Sequence, residues 1–564
     1  MPADSPEPES ILAAVRELRA SFGIGARRID AVVCLLTDGE LRSVAELVSL
    51  TGASRRTVEA VLRAAGPHLD TSDGRVRISG PHAHAYAAGF GCGADAPVPD
   101  PWDGLARRDP AVLAEAAGLV ERAPAPQRDL DQVPATPVTV LKRGHYLLRS
   151  FDLRGAQVLC VGDHDLTSLG LFLAGGADGL RVCVADADEA LLGYIDAEAR
   201  QRGFDVRCFS ADLRLGLPAA LRESSQLIFT DPPYTPEGLH LFVTCGLQGL
   251  ADTRNGRVLV AYGFGEQPAL GLAVQQALSP LHLVYEAVLP GFNRYAGAEA
   301  IGGEAALYVL RPTRRSVSAA QAAADDAGPG LYTHGSQSVE SATRSLAGAA
   351  AAQILGLAAG PEEAVLLVGG GWPQSCRGRR LPLAALIAAP LPGGDHGRTA
   401  LVNLYPGFGS LVFRALLAST AGRVAIVCRN GVPELRDAAG QRALERLIAP
   451  KYRITRLLRS TPEPDMAVIL AERSPATGLT GGEQVAGFIY ARAHGKLGNA
   501  WREGLIALCT SRGQELTKRR ARELIGSVTA RPDLLDRCPV DLPVHVFPPL
   551  ISEIERSAAA VLPA

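Results

Sequence analysis

The sequence predicts an α/β protein built on a doubly wound parallel sheet, and three observations carry that prediction. Between residues 156 and 234, apolar runs fit for buried strands alternate with helical stretches. Such alternation implies right-handed crossovers with helices on both sheet faces. The runs end in glycine or acidic turns, the strand ends at which ligands sit in open α/β sheets. The chain is also 564 residues long, too long for one hydrophobic core, so the sheet is expected to have accessory units beside it.

In chain order, residues 1–85 read as a winged-helix-like N-terminal domain. "RIDAVVCLLTDG", "SVAELVSLTG" and "SRRTVEAVLRAAG" are short helices, and "HLDTSDGRVRIS" is a hairpin. Ser54 is a good N-cap for the third helix. Its Arg55, Arg56 and Arg63 suit either a DNA-recognition helix or a solvated face. A formal net charge of -2 offers no electrostatic footprint for nucleic acid and favours the second. Residues 86–135, rich in Gly and Pro, read as a linker.

Residues 136–315 form the predicted catalytic domain. "AQVLCVGDHD", "RVCVADAD", "DVRCFSADL" and "SQLIFTDPPY" are its first four strands, and "GRVLVAYGF", "HLVYEAVLPGF" and "AALYVLRPT" the last three. Seven strands closing in an antiparallel edge match a class I methyltransferase-like, Rossmann-type sheet. After a second linker, 316–350, residues 351–475 repeat part of the order. "ALVNLYPG" stands opposite "LIFTDPPY" and "GRVAIVCR" opposite "GRVLVAYG". This C-terminal α/β domain reads as a degenerate second copy that has lost the acid and the paired prolines. Residues 476–564 read as a helical tail with a basic, solvated face.

The N-terminus lacks the basic start and apolar run of a secretory signal. No apolar window approaches the roughly 20 residues of a membrane span. A cytoplasmic protein, with no membrane partner, is therefore expected. The ten cysteines show no CxxC spacing, and Cys160, Cys183, Cys208 and Cys428 fall in or beside strand-like runs. Reduced, buried thiols are expected throughout.

In class I sheets, a glycine turn after the first strand and acids after the second and third bind S-adenosyl cofactors. Here the first turn is "VGDHDLTS". Gly162 makes the turn, while Asp163 and Asp165 put negative charge where a cofactor carboxylate commonly lies. Repulsion there costs on the order of 1 kcal/mol or more in a partly desolvated cleft. The turn therefore suits a donor without that carboxylate, such as decarboxylated S-adenosylmethionine, or a cationic substrate such as a polyamine. Asp186, with Asp188 as a second candidate, is placed for ribose hydroxyls, and Asp212 for an adenine amino group. In "TDPPY", Asp231 and the carbonyl before the prolines accept hydrogen bonds from an attacking amine. Pro232 stiffens the turn beside the cofactor, and Tyr234 offers a π-face to a cation. The tetrapeptide is similar to the (D/N)PP(Y/F) signature of amino-group methyltransferases.

Taken together, "DQVPATPVTVLKRGHYLL", the GDHD turn, "FTDPPYTPEGLHLFVTCGL" and "FNRYAGAEAIGGEAALYVLRP" resemble the branched-chain polyamine synthase family, the bis(aminopropyl)spermidine synthases. The resemblance covers about residues 28–315. It implies transfer of aminopropyl groups from decarboxylated S-adenosylmethionine to the secondary amine of a linear polyamine, with methylthioadenosine released. It also implies that Asp165, the last acid of a turn reading GDDD in the family, assists amine deprotonation.

The sequence departs from the family at His164, which could act as a base or carry positive charge. A cation there would admit intact S-adenosylmethionine as the alternative donor. The region after 330 is a second departure. The expected catalytic set is Asp165, His164, Asp231 and Tyr234. Asp163, Asn293 and Tyr295 are expected to meet the amine, with Arg294 paired to an acid; no metal is needed. A homodimer is expected. Two rivals stay open: aminocarboxypropyl or methyl transfer from intact S-adenosylmethionine, and a non-enzymatic winged-helix sensor of a polyamine or nucleotide.

Overall fold

The structure is a computed structural model describing residues 8–22, 26–92, 104, 109–265, 267–296, 303–324, 345–360, 362–391, 398–405, 407–475 and 478–561. Near the N-terminus, helices Arg27–Thr37, Val44–Thr51 and Arg55–Ala65 precede an antiparallel hairpin of β1 (Leu69–Ser72) and β2 (Arg75–Ile78). Ser43 and Glu46 form a reciprocal capping box on the second helix, and Ser54 caps the third through Thr57. Arg55 pairs with Glu59 one turn on, as a solvated helix face would. Cys34 and Cys92 form a disulfide, so the expectation of reduced thiols throughout is corrected. The partners lie 58 residues apart, and no spacing motif announces them. Cys160, Cys183, Cys208 and Cys428 are free and buried, as expected.

The central sheet contains β3 (Gln157–Val161), β4 (Arg181–Asp186), β5 (Val206–Ser210), β6 (Leu227–Thr230), β7 (Arg257–Tyr262), β8 (Val284–Arg294) and β9 (Glu304–Arg311). Its order is β5-β4-β3-β6-β7-β9-β8. The first five strands run parallel, and β9 lies antiparallel between β7 and β8. The order reverses between β3 and β6, the switch point where an α/β sheet opens a ligand crevice. Both strands are buried apolar runs that need no alternation, because helices cover both faces.

Three expected boundaries need correction. The presumed linker 86–135 contains helix Pro110–Arg122, capped by Asp109 and burying Ala116 and Leu119. Its apolar stripe is short and alanine-rich, and the flanking prolines masked it. The second presumed linker begins with helix Ser316–Ala324, whose Ala320 is buried in the core of the central sheet. The C-terminal tail, 476–564, is helical where described, as expected, but it packs into a core. Helices Gly481–Ala491, Leu497–Ser511, Lys518–Val528 and Phe547–Ala559 bury Tyr490, Trp501, Ile525 and Phe547 in the core of the second sheet.

That second sheet holds β10 (Val365–Val368), β11 (Arg379–Leu381), β12 (Thr399–Asn403), β13 (Arg423–Arg429), β14 (Tyr452–Arg459) and β15 (Met466–Arg473), in the order β11-β10-β12-β13-β15-β14. β10, β12 and β13 run parallel, with β15 antiparallel to β13 and β14. No helix among the described residues is long and apolar enough to cross a membrane.

Candidate active site

At the carboxyl ends of β3 and β6 lies a cleft of about 830 Å3. The turn after β3 begins with Gly162 at φ +72°, a left-handed conformation that disfavours any Cβ. It continues to Leu166, also left-handed at φ +56° and buried. This turn carries Asp163, His164 and Asp165 into the cleft wall, while the turn after β6 supplies Asp231, Pro232 and Tyr234. Among the described residues, Asp131, Asp163, Asp165, Asp186, Asp231, Glu237 and Glu304 line the space, against one arginine, Arg128. Such a wall favours cations.

At the centre stands a residue that the sequence reading passed over. Arg143 lies on helix Pro137–Ser150, capped by Thr136, and is fully buried. The helix can come this close because Gly144 meets Gly170 of helix Thr167–Leu173. A Cβ on Gly144 would stand 2.3 Å from the Gly170 carbonyl oxygen. Arg143 Nε donates to Asn293 Oδ1 at 2.8 Å. Its Nη1 donates to Asp165 Oδ2 at 3.0 Å and to Thr167 Oγ1 at 3.1 Å. Nη2 donates to Asp231 Oδ2 at 2.5 Å and to the Tyr295 hydroxyl at 3.1 Å. The guanidinium also lies 4.9 Å from the centre of the Phe229 ring. Burial works against its charge, yet Asp165, Tyr295 and Asp231 hold it protonated with a raised pKa. One sequence signal was available: Arg143 sits in the apolar stripe of its helix, between Val140 and Leu147.

Arg143 joins two carboxylates. Asp165 is 6% exposed, and its other oxygen accepts the Ala135 N–H at 2.9 Å. Asp231, with a side chain 13% exposed, also accepts from the Tyr295 hydroxyl at 2.6 Å and the Tyr234 hydroxyl at 3.3 Å. Burial first, and then the charge of Asp165, push Asp231 well above the ordinary carboxylate range. Tyr234 and Tyr295 are hydrogen-bonded at 3.0 Å, and burial pushes both phenols up.

The other expected residues divide. Gly162, Asp163, His164, Asp186, Pro232 and Tyr295 line the cleft. Asp186 accepts the Asp163 and Asp188 N–H groups at 3.0 and 2.8 Å, and burial raises it to about 6. The Asp163 carboxylate turns back onto the hydroxyl and N–H of Ser168, and burial raises it to about 7. It is therefore near half-neutral at pH 7, and repels a ligand carboxylate less than the sequence suggested. Burial lowers His164 below the ordinary imidazole value, so at pH 7 the ring is neutral. Its Nε2 is buried and has no hydrogen-bond partner among the described residues.

Asp188, Asp212 and Asn293 are not brought to the cleft surface. Asp188 caps helix Glu189–Arg202 and accepts from Gln132. Asp212 is tied to Arg214 by bonds of 2.9 and 2.5 Å and is not among the residues lining the cleft. Asn293 is fully buried behind Arg143. Arg294 pairs with Glu304 at 2.8 Å.

Residues 112–320 match the family profile of the branched-chain polyamine synthase A C-terminal domain. An N(4)-bis(aminopropyl)spermidine synthase of Thermococcus kodakarensis is 35% identical over 140 residues, covering 25% of this chain and 39% of that protein. The Thermus thermophilus protein of the same name is 30% identical over 187 residues, covering 26% and 54%. An uncharacterized protein of Methanocaldococcus jannaschii is 36% identical over 192 residues, covering 34% and 47%. The chain thus spans about half or less of these curated relatives. Among solved structures, the Thermus thermophilus branched-chain polyamine synthase in complex with N4-aminopropylspermidine and 5'-methylthioadenosine is 23% identical. That likeness covers 55% of this chain and 94% of that one, with a TM-score of 0.37.

Proposed function

We propose, from the match of residues 112–320 to the branched-chain polyamine synthase A C-terminal domain profile and from the geometry of the cleft, that the protein is an aminopropyltransferase. It would alkylate an amine of a polyamine with decarboxylated S-adenosylmethionine and release methylthioadenosine. The observation that carries this reading is the cleft wall, where among the described residues seven acids, two of them shared with the buried Arg143, stand against one arginine around the turns after β3 and β6. A polycation is attracted to such a wall, and a donor carrying a carboxylate is penalised. Because His164 is neutral at pH 7, it does not offset that penalty.

In the reaction, the amine nitrogen forms a bond to the methylene carbon beside the sulfonium. The carbon–sulfur bond breaks, and its electron pair stays on sulfur as a neutral thioether. Gly162 and Asp186 bound the nucleoside end, and Pro232 stiffens the turn beside it. Asp231 and Tyr234 orient the amine. The Asp165–Asp231 pair takes its proton: a carboxyl raised above the ordinary range is a stronger base toward an ammonium. His164, with its unpartnered Nε2, relays the proton onward. Arg143 holds both carboxylates in place.

The second sheet reads as a degenerate copy of the first. Its order from β11 to β14 repeats that from β4 to β8, with β12 in the place of β6. At the carboxyl ends of β10 and β12, where a ligand would sit, Trp372 and Tyr405 are buried in one apolar cluster. The N-terminal helices and hairpin read as a winged-helix-like accessory module. Its Gly52 packs against Arg294 and Glu304, beneath the cleft.

A panel of linear polyamines incubated with the donor, with products read by mass spectrometry, tests the reaction. The expected product carries the new aminopropyl group on an internal nitrogen. Transfer only to terminal amines, or no transfer, would refute the branched-polyamine reading.

A further inference from the structure

The C-terminal half meets the central domain along helix Glu189–Arg202, where Arg531 and His545 pair with Asp196 and the Val544 N–H donates to Glu189, and along the wall formed by residues 208–214. That wall contributes Ala211 and Leu213 to the cleft. From the second half, Arg537 donates to the Cys208 carbonyl, and its guanidinium lies 4.0 Å from the centre of the Phe209 ring. Arg414 donates to Glu189 Oε1, the same oxygen that accepts the Ser210 hydroxyl at 2.6 Å. Its other arm donates to the carbonyls of Val540 and Leu542 at 2.5 and 3.0 Å. Arg214 Nη2 donates to the Gly407 carbonyl at 2.8 Å, and its guanidinium lies 3.9 Å from the ring centre of Phe408. Arg214 is also the residue that holds Asp212.

Gly407 and Phe408 follow β12, in the segment "NLYPGF" that stands opposite "TDPPY" in the duplicated order. We propose that the C-terminal half is a clamp on the nucleoside end of the cleft, with Phe408 and Arg537 as positioning residues that hold the 208–214 wall. The turn that carries amine chemistry in the first copy has become, in the second, a docking surface for the first. The clamp acts on the donor and not on the acceptor: the segment it grips is the end of β5 and the turn after it, away from the turns after β3 and β6. This inference rests on the donor reading above.

The test uses the full-length protein. Phe408→Ala is expected to weaken 5'-methylthioadenosine binding, read by calorimetry, about tenfold through loss of the cation–π contact and the wall it steadies. It should raise KM for the donor equally, with kcat and the KM for the amine unchanged. Phe408→Tyr, which keeps the ring face, should restore wild-type values. Unchanged methylthioadenosine binding in Phe408→Ala, or a common loss in kcat and both KM values, would overturn the clamp alone. A wild-type protein that binds no methylthioadenosine would overturn the donor reading, and the clamp with it.

Discussion

Replacing Arg143 by methionine is expected to abolish turnover, by about a thousandfold or more, and to destabilise the fold by about 3–5 kcal/mol. The substitution keeps much of the side-chain volume but leaves Asp165 and Asp231 buried beside each other without a countercharge. Without the guanidinium that opposes the upward push of burial and Asp165, Asp231 should hold its proton more tightly and no longer accept one from the amine. Five acceptors converge on this guanidinium, on Asn293, Asp165, Thr167, Asp231 and Tyr295. Arg143→Lys, whose compact ammonium cannot span them, should recover part of the stability and little of the activity. Thermal unfolding and initial rates of methylthioadenosine release check both variants. An active Arg143→Met enzyme would show that the carboxylate pair does not take the proton.

The second large effect is expected at Asp231. Asp231→Asn keeps an acceptor toward Tyr295 and Arg143 but removes the charge and the base. kcat should fall by about a hundred- to ten-thousandfold, with methylthioadenosine affinity little changed. The sign of the pH response follows from the raised pKa. In the wild-type protein Asp231 is protonated, and idle as a base, at a pH where an ordinary carboxylate is already ionised. The wild-type kcat/KM should therefore rise as pH climbs through that elevated pKa, and the rise due to Asp231 should vanish in the Asn variant. The same raised pKa means that the folded state holds its proton more tightly than the unfolded chain. The contribution of Asp231 to stability is thus present below the ordinary carboxylate pKa and lost as pH rises through the folded value. A cationic amine in the cleft opposes that loss. Near-wild-type kcat in Asp231→Asn would assign the proton transfer elsewhere.

The central sheet was legible because each strand is an apolar run ending in a turn with chemistry in it. The turns "GDHD" and "TDPPY" stand side by side in the structure because β3 and β6 are neighbours at the switch point. Sequence position could not report which way each acid faces. Asp188 and Asp212 follow their strands as expected, yet both are spent on helix starts and on Gln132 or Arg214. Asp163 bends back onto Ser168 for the same local reason: a carboxylate at a helix start finds N–H donors closer than any ligand. Arg143 escaped because it lies outside every turn motif, and its partners come from Asn293, Asp165 and Asp231, far along the chain. Helix Pro110–Arg122 and the Cys34–Cys92 bridge escaped because Gly/Pro-rich flanks and an unpatterned cysteine spacing hid them.

The central claim is that the acidic cleft selects a donor without a carboxylate, and a competition between donors tests it most directly. With both donors at equal concentration and a polyamine acceptor, the amine product is expected to carry an aminopropyl and no aminocarboxypropyl group, read by mass spectrometry, with methylthioadenosine as the nucleoside product. Decarboxylated S-adenosylmethionine should also bind at least about tenfold more tightly than the intact form, the effect of roughly 1.4 kcal/mol of repulsion. S-adenosylhomocysteine as the sole product, or tighter binding of the intact donor, would contradict the account.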